Sequence, residues 1–176
     1  MTTRAGSAEA SPSAGSSSSP TPTVTAEPTD ALGAFTCAMP IEGEGTVDRA
    51  QITDVRVGSH AGYDRIVIEF DAGVPPFILD EATPPLTADP SGQQMDVDGN
   101  AFWSLVLQGG TRLNLDGSMS YEGKTDFTPE FTALAELVEA GDFEAVSSWY
   151  VGLHEATCAR VLTLTEPARL VIDIQQ

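Results

Sequence analysis

From Thr46 onward the chain alternates apolar and polar residues with a period of two, in short runs separated by turn residues, which is the pattern of half-buried β-strands. Ala50 to Val57 is the first such run. In Arg65-Ile66-Val67-Ile68-Glu69-Phe70, the side chains of Ile66, Ile68 and Phe70 share one face, and those of Arg65, Val67 and Glu69 share the other. Residues 58–64, with two glycines available for positive φ, read as the hairpin loop between them. Proline pairs bracket Phe77-Ile78-Leu79-Asp80, which predicts at most a short edge strand, because proline supplies no ladder donor. Residues 89–99 look like loop, with a brief strand around Met95 and Val97. Trp103, Leu105 and Leu107 mark a stronger strand, and Gly109-Gly110 before residues 111–115 predicts a second hairpin. Residues 116–127 read as loop. Further strands are expected at residues 143–153, 160–165 and 169–174.

One segment carries helix signals instead. Thr128 fits an N-cap, Pro129 the first helical position and Gly141 the C-terminal stop, and Phe131, Leu134, Leu137 and Val138 make an apolar stripe. The predicted fold is therefore mainly β: an antiparallel β-sandwich or barrel-like sheet of about six to eight short strands with one packed α-helix. The last strand, Arg169-Leu170-Val171-Ile172-Asp173-Ile174, matches residues 65–70 in type at each position, which suggests equivalent places in a pseudo-symmetric sandwich. Arg65 and Arg169 are also placed to pair across the sheet with Glu69 and Asp173.

Composition changes this picture at the N-terminus. Residues 1–31 are dominated by Ser, Thr, Ala, Pro and Gly and lack the apolar surface that offsets ordering entropy, so they read as a disordered linker ahead of one domain, residues 32–176. The 26 acidic residues against 8 basic ones give a formal charge of −18. Nucleic acid is an unsuitable partner for such a surface, and an anionic membrane is disfavoured on the same ground. No apolar run reaches the length of a membrane span, and no signal peptide or lipobox precedes Cys37. Cys37 and Cys158 stand at opposite ends of the folded region, either as one disulfide or as two buried thiols; zinc spacings are absent.

Residues 55–70, including Gly62-Tyr63-Asp64-Arg65-Ile66-Val67-Ile68-Glu69-Phe70, resemble the opening of the AMIN-like domain of actinobacterial secreted proteins and lipoproteins. Gly141-Asp142-Phe143-Glu144-Ala145-Val146, the strand around Trp149, Arg160-Val161-Leu162-Thr163-Leu164 and Pro167-Ala168-Arg169-Leu170-Val171-Ile172-Asp173 resemble its closing half. The resemblance implies a non-catalytic, extracytoplasmic accessory module of the cell envelope, with peptidoglycan or an envelope protein as its partner and no cofactor. It supplies no catalytic residues.

The residues themselves offer little to an enzyme. His60 and His154 are far apart, and no nucleophile elbow, phosphate loop or dinucleotide fingerprint occurs. A hydrolase or transferase acting on envelope glycans, with His60 and Asp64 or a carboxylate pair at its centre, is the alternative; Ser59 adjoins His60 but points away from it on an extended chain. Asp89, Asp96, Asp98 and Asn100 offer oxygen ligands without the spacing of a calcium loop, so a solvated turn is expected there and no metal site. For binding, sugar rings stack on aromatic side chains and wall-peptide carboxylates suit arginine forks, which singles out Tyr63, Arg65 and Tyr150, with Trp149 in the core.

Overall fold

The computed structural model describes residues 32–176, which form one compact unit, Leu32–Gln176. The expected linker, residues 1–31, lies outside the described residues.

Thirteen strands follow in order: β1 Ile41–Gly43, β2 Ala50–His60, β3 Tyr63–Phe70, β4 Phe77–Ala82, β5 Leu86–Thr87, β6 Gln94–Met95, β7 Ala101–Gln108, β8 Gly110–Thr111, β9 Asp126–Phe127, β10 Leu134–Phe143, β11 Val146–Leu153, β12 Ala159–Thr165 and β13 Ala168–Gln175. They form a six-stranded sheet, β1-β4-β7-β11-β10-β9, a five-stranded sheet, β12-β13-β3-β2-β8, and the small β5-β6 pair. Alternation sets the inner faces. Ile66, Ile68 and Phe70 of β3, with Leu170, Ile172 and Ile174 of β13, meet Leu79, Trp103, Leu105, Leu107, Leu137, Trp149 and Val151 of the other sheet in one core. Burying apolar side chains of this size contributes roughly 1.5 to 3 kcal/mol each before ordering entropy is counted.

The expected helix over residues 128–141 is absent; the described residues contain no helix. Residues 128–133 are irregular, and β10 occupies the rest, paired with β11 on one side and β9 on the other. Two register shifts explain the helix-like spacing. They fall between Leu134 and Glu136 and between Glu139 and Gly141. Each bulge resets the two-residue alternation, so Leu134 and Leu137 are both fully buried although three residues apart. Gly141 is not a helix stop but a point of close approach, since a Cβ there would run into the backbone carbonyl of Asp89, whose N–H donates to Ala140 O at 2.8 Å.

Other local expectations change in smaller ways. Residues 58–60 belong to β2, and the hairpin turn shrinks to Ala61-Gly62, with Gly62 at φ +88°. β4 is an interior strand between β1 and β7. β8 does not fold back on β7 but pairs parallel with β2. The matched motifs of β3 and β13 are neighbours rather than equivalents. Antiparallel register sets Arg65 opposite Asp173 and Glu69 opposite Arg169, but only the first of these becomes an ion pair, because Glu69 turns to Arg56 instead.

Cys37 and Cys158 form a disulfide spanning 121 residues. It fixes the lead-in segment beside β12, where Thr36 pairs with Ala159.

Candidate functional site: the outer face of the five-stranded sheet

The side chains on the outer face follow from register. Across β2, β3 and β13, Gly58, Arg65 and Asp173 stand in one row, Arg56, Val67 and Val171 in the next, and Asp54, Glu69 and Arg169 in the third. Arg160 and Leu162 of β12 continue the first two rows and Leu164 the third.

The first row is locked. Asp173 is fully buried and accepts from two guanidiniums: Arg65 Nε donates to Oδ1 at 2.6 Å, and Arg160 Nε to Oδ2 at 2.9 Å. Arg160 lies between two rings, its guanidinium carbon 4.5 Å from the centroid of Phe35 and 5.1 Å from that of Tyr63. Its Nη1 also donates to Gly33 O at 3.1 Å, which ties the lead-in segment to the sheet. Arg65 approaches the Tyr63 ring at 5.1 Å, and His60 stacks against it with centroids 4.8 Å apart. Tyr63 is buried, so its ring is occupied by these neighbours and presents no open stacking platform.

Beside this cluster lies an open depression of about 250 Å³ lined by Arg56, Val57, Gly58, His60, Arg65, Val67 and Arg169. It holds three of the chain's eight Lys and Arg residues, and no carboxylate lines it. Arg56 is held at its rim by Asp54 and Glu69. Arg169 differs: it donates to Pro167 O at 3.2 Å, and among the described residues no carboxylate lies within ion-pair distance of it.

Tyr150 is elsewhere. It sits on β11 in the other sheet, half-buried, and its hydroxyl donates to Thr87 O at 3.1 Å, holding β5 over that sheet. The structure therefore brings Tyr63 and Arg65 together and leaves Tyr150 on the opposite sheet. Of the other lining residues, the sequence did not single out Arg56, and it named His60 for catalysis and Arg169 for a cross-sheet ion pair rather than for a groove; their register on β2 and β13 was the signal available.

The pair considered for catalysis separates. Asp64 is fully buried and accepts from Ala133 N–H at 2.7 Å, Leu134 N–H at 3.0 Å, the Ser59 hydroxyl at 2.7 Å and the Gln176 amide at 2.7 Å. Burial pushes its pKa up, and these hydrogen bonds more than offset that, leaving it below the ordinary value. His60 points to the other face, toward Tyr63 and the arginines. Asp64 thus joins the β2–β3 hairpin, the C-terminus and the start of β10.

A further depression, of about 390 Å³, is lined by Asp98, Gly99, Asn100, Thr128, Pro129, Glu130, Ala135 and His154. There Asn100 donates to His154 O at 2.9 Å, and Asp98 N–H donates to Glu136. Burial, followed by the charges of Asp126 and Asp98, raises the Glu136 pKa, and the Asp98 N–H partly offsets this. Among the described residues no three His, Cys, Asp or Glu side chains stand together as metal donors. No helix of the described residues is long and apolar enough to cross a membrane.

The described residues thus form a disulfide-tied two-sheet β domain with a shallow, arginine-lined groove on one outer face. The family comparison agrees with the sequence: the AMIN-like domain matches residues 50–176, and the chain belongs to that family. No curated protein and no solved structure matches it.

Proposed function

We propose that the protein is a non-catalytic, extracytoplasmic accessory module that holds an anionic component of the cell envelope, peptidoglycan foremost, in the groove between Arg56, Arg65 and Arg169. The observation that carries this reading is the concentration of cations. In a chain of charge −18, three arginines and His60 gather in one depression with no carboxylate in its lining, and Arg169 has its guanidinium directed to no acid among the described residues. Planar guanidinium forks bind carboxylates, such as those of wall peptides, through paired charge-assisted hydrogen bonds. Family membership supports the envelope setting, and the disulfide suits an oxidising compartment. Against the His60–Asp64 form of the hydrolase alternative, the Asp64 carboxylate is engaged in four structural hydrogen bonds and His60 faces away from it.

Co-sedimentation of the full chain with isolated actinobacterial sacculi, beside an equally acidic control protein, tests the reading. Retention above the control, weakened roughly a hundredfold or more in an Arg56→Gln, Arg169→Gln double variant, is expected if each lost charged contact costs about 1.5 kcal/mol or more. Equal retention of chain and control sinks wall binding.

A further inference from the structure

Glycine weakens a strand, because it loses the most backbone freedom on folding and brings no side chain to pack, so a glycine inside a strand calls for a reason. Among the described residues the strands hold Gly43, Gly58, Gly110, Gly141 and Gly152. Packing demands four of them. An added Cβ would strike the Phe77 ring at Gly43, the Leu107 side chain at Gly110, the Asp89 carbonyl at Gly141 and the Asp98 carbonyl at Gly152. Gly58 is different. Its φ lies outside the left-handed region, and the nearest described atom to an added Cβ is His60 Nε2 at 3.7 Å, an ordinary van der Waals contact.

What glycine provides at this position is space. On the outer face Gly58 stands between Arg56 and His60 along β2 and opposite Arg65 of β3, so any larger residue would project into the depression that these three line together with Val67 and Arg169. The cations around it are not equivalent. Arg65 is committed to Asp173, and Arg56 to Asp54 and Glu69, whereas Arg169 donates to Pro167 O and has no carboxylate within ion-pair distance among the described residues. The space between them is partly apolar, since Val67 is buried there and Gly58 presents bare backbone. A strand glycine with neither a conformational nor a packing cause marks a place where another molecule approaches the backbone closely.

We propose that Gly58 determines the specificity of this groove, and that its ligand is the free carboxyl terminus of a peptide whose last side chain is small. The carboxylate sits on the Arg169 guanidinium, and the small side chain lies over Gly58 and Val67. The inference rests on the reading of the groove as an anion site and narrows it to one chemical class. A planar carboxylate matches a guanidinium fork through two parallel hydrogen bonds, which an uncharged glycan cannot offer. An inorganic phosphate gains nothing from the apolar wall beside that fork. The depression, about 250 Å³, is smaller than the ~300 Å³ at which pockets for whole small molecules begin, which suits a chain end. A bulky terminal residue outgrows the space that one absent side chain leaves.

NMR titration of the full chain with N-acetyl-alanyl-alanine tests this, beside the same dipeptide as its C-terminal amide, N-acetyl-alanyl-phenylalanine and inorganic phosphate. The free acid is expected to bind roughly tenfold or more tightly than the amide or the phenylalanine peptide, and phosphate at equal concentration is expected not to displace it. Gly58→Val weakens binding roughly tenfold or more while the melting temperature stays equal or rises, because valine favours a strand. Gly58→Ala, which adds one methyl, falls between. A merely structural glycine would lose stability and binding together. An amide or phenylalanine peptide that binds as well as the acid, phosphate that displaces it, or glycine variants that bind undiminished overturn the proposal. If no peptide binds while sacculi still retain the chain, the peptide-end assignment falls and wall binding stands; if neither binds, both fall.

Discussion

Single carboxylates, each buried and each differently satisfied, set much of this domain's behaviour. Asp173 neutralises Arg65 and Arg160 at once, with no exposure of its own. Asp173→Asn leaves two guanidiniums packed against aromatic rings without their counter-charge, and about 3 to 5 kcal/mol of stability is expected to go, measured by urea unfolding. The pH dependence follows from three other acids. Asp64 is held below its ordinary value of 3.8, so the stability it contributes is present above that value and lost as pH falls through its folded-state pKa. Burial raises Glu136 and Glu139 above their ordinary 4.5, although Arg112 partly offsets this for Glu139. Their contribution has the opposite sign: it is full below 4.5 and lost as pH rises through the raised values. Thermal stability is therefore expected to climb as pH is lowered from 7 toward 4.5 and to fall once pH passes below 3.8. A scan showing maximal stability at neutral pH contradicts these assignments.

β10 shows how far the pattern of a strand can drift from its period. Its bulges produce an apolar spacing of three, and Thr128-Pro129 with Gly141 supply end signals by coincidence, so the residues name a helix that pairing with β9 and β11 overrides. Strands without bulges were largely legible: β3, β7, β11 and β13 place on the inner face the residues the pattern names, whereas β12 sets Leu162 and Leu164 on the outer face. β8 was not legible, because a two-residue parallel bridge has no period to detect, and Gly109-Gly110 reads as a turn in either arrangement. Gly141 gives a direct test of the strand assignment. In a helix stop Gly141→Ala would cost about 1 kcal/mol through the left-handed backbone alone, whereas here the added methyl meets the Asp89 backbone carbonyl, so a loss of about 2 to 3 kcal/mol in chemical unfolding is expected.

At the scale of the whole molecule, the two sheets divide the work. The six-stranded sheet carries the β5-β6 flap under Tyr150, and the five-stranded sheet carries the arginine groove and the disulfide-anchored lead-in. Arginine 65 and its ring partner were visible in the sequence, because an Arg-x-x-x-carboxylate strand beside an aromatic residue suggests a charged face. That Arg56, His60 and Arg169 line one depression with it was not, since only register places residues from three strands together. Tyr150 was singled out for its chemistry alone, and its position on the other sheet was beyond what strand alternation specifies. Whether an anionic envelope ligand sits on the outer face of the five-stranded sheet is read by an NMR titration of the isotope-labelled full chain with a soluble, carboxylate-bearing muropeptide. Shifts concentrated at Arg56, Gly58, His60 and Arg169, and abolished by Arg169→Gln, are the predicted result; shifts centred on Tyr150 or His154, or none at all, contradict it.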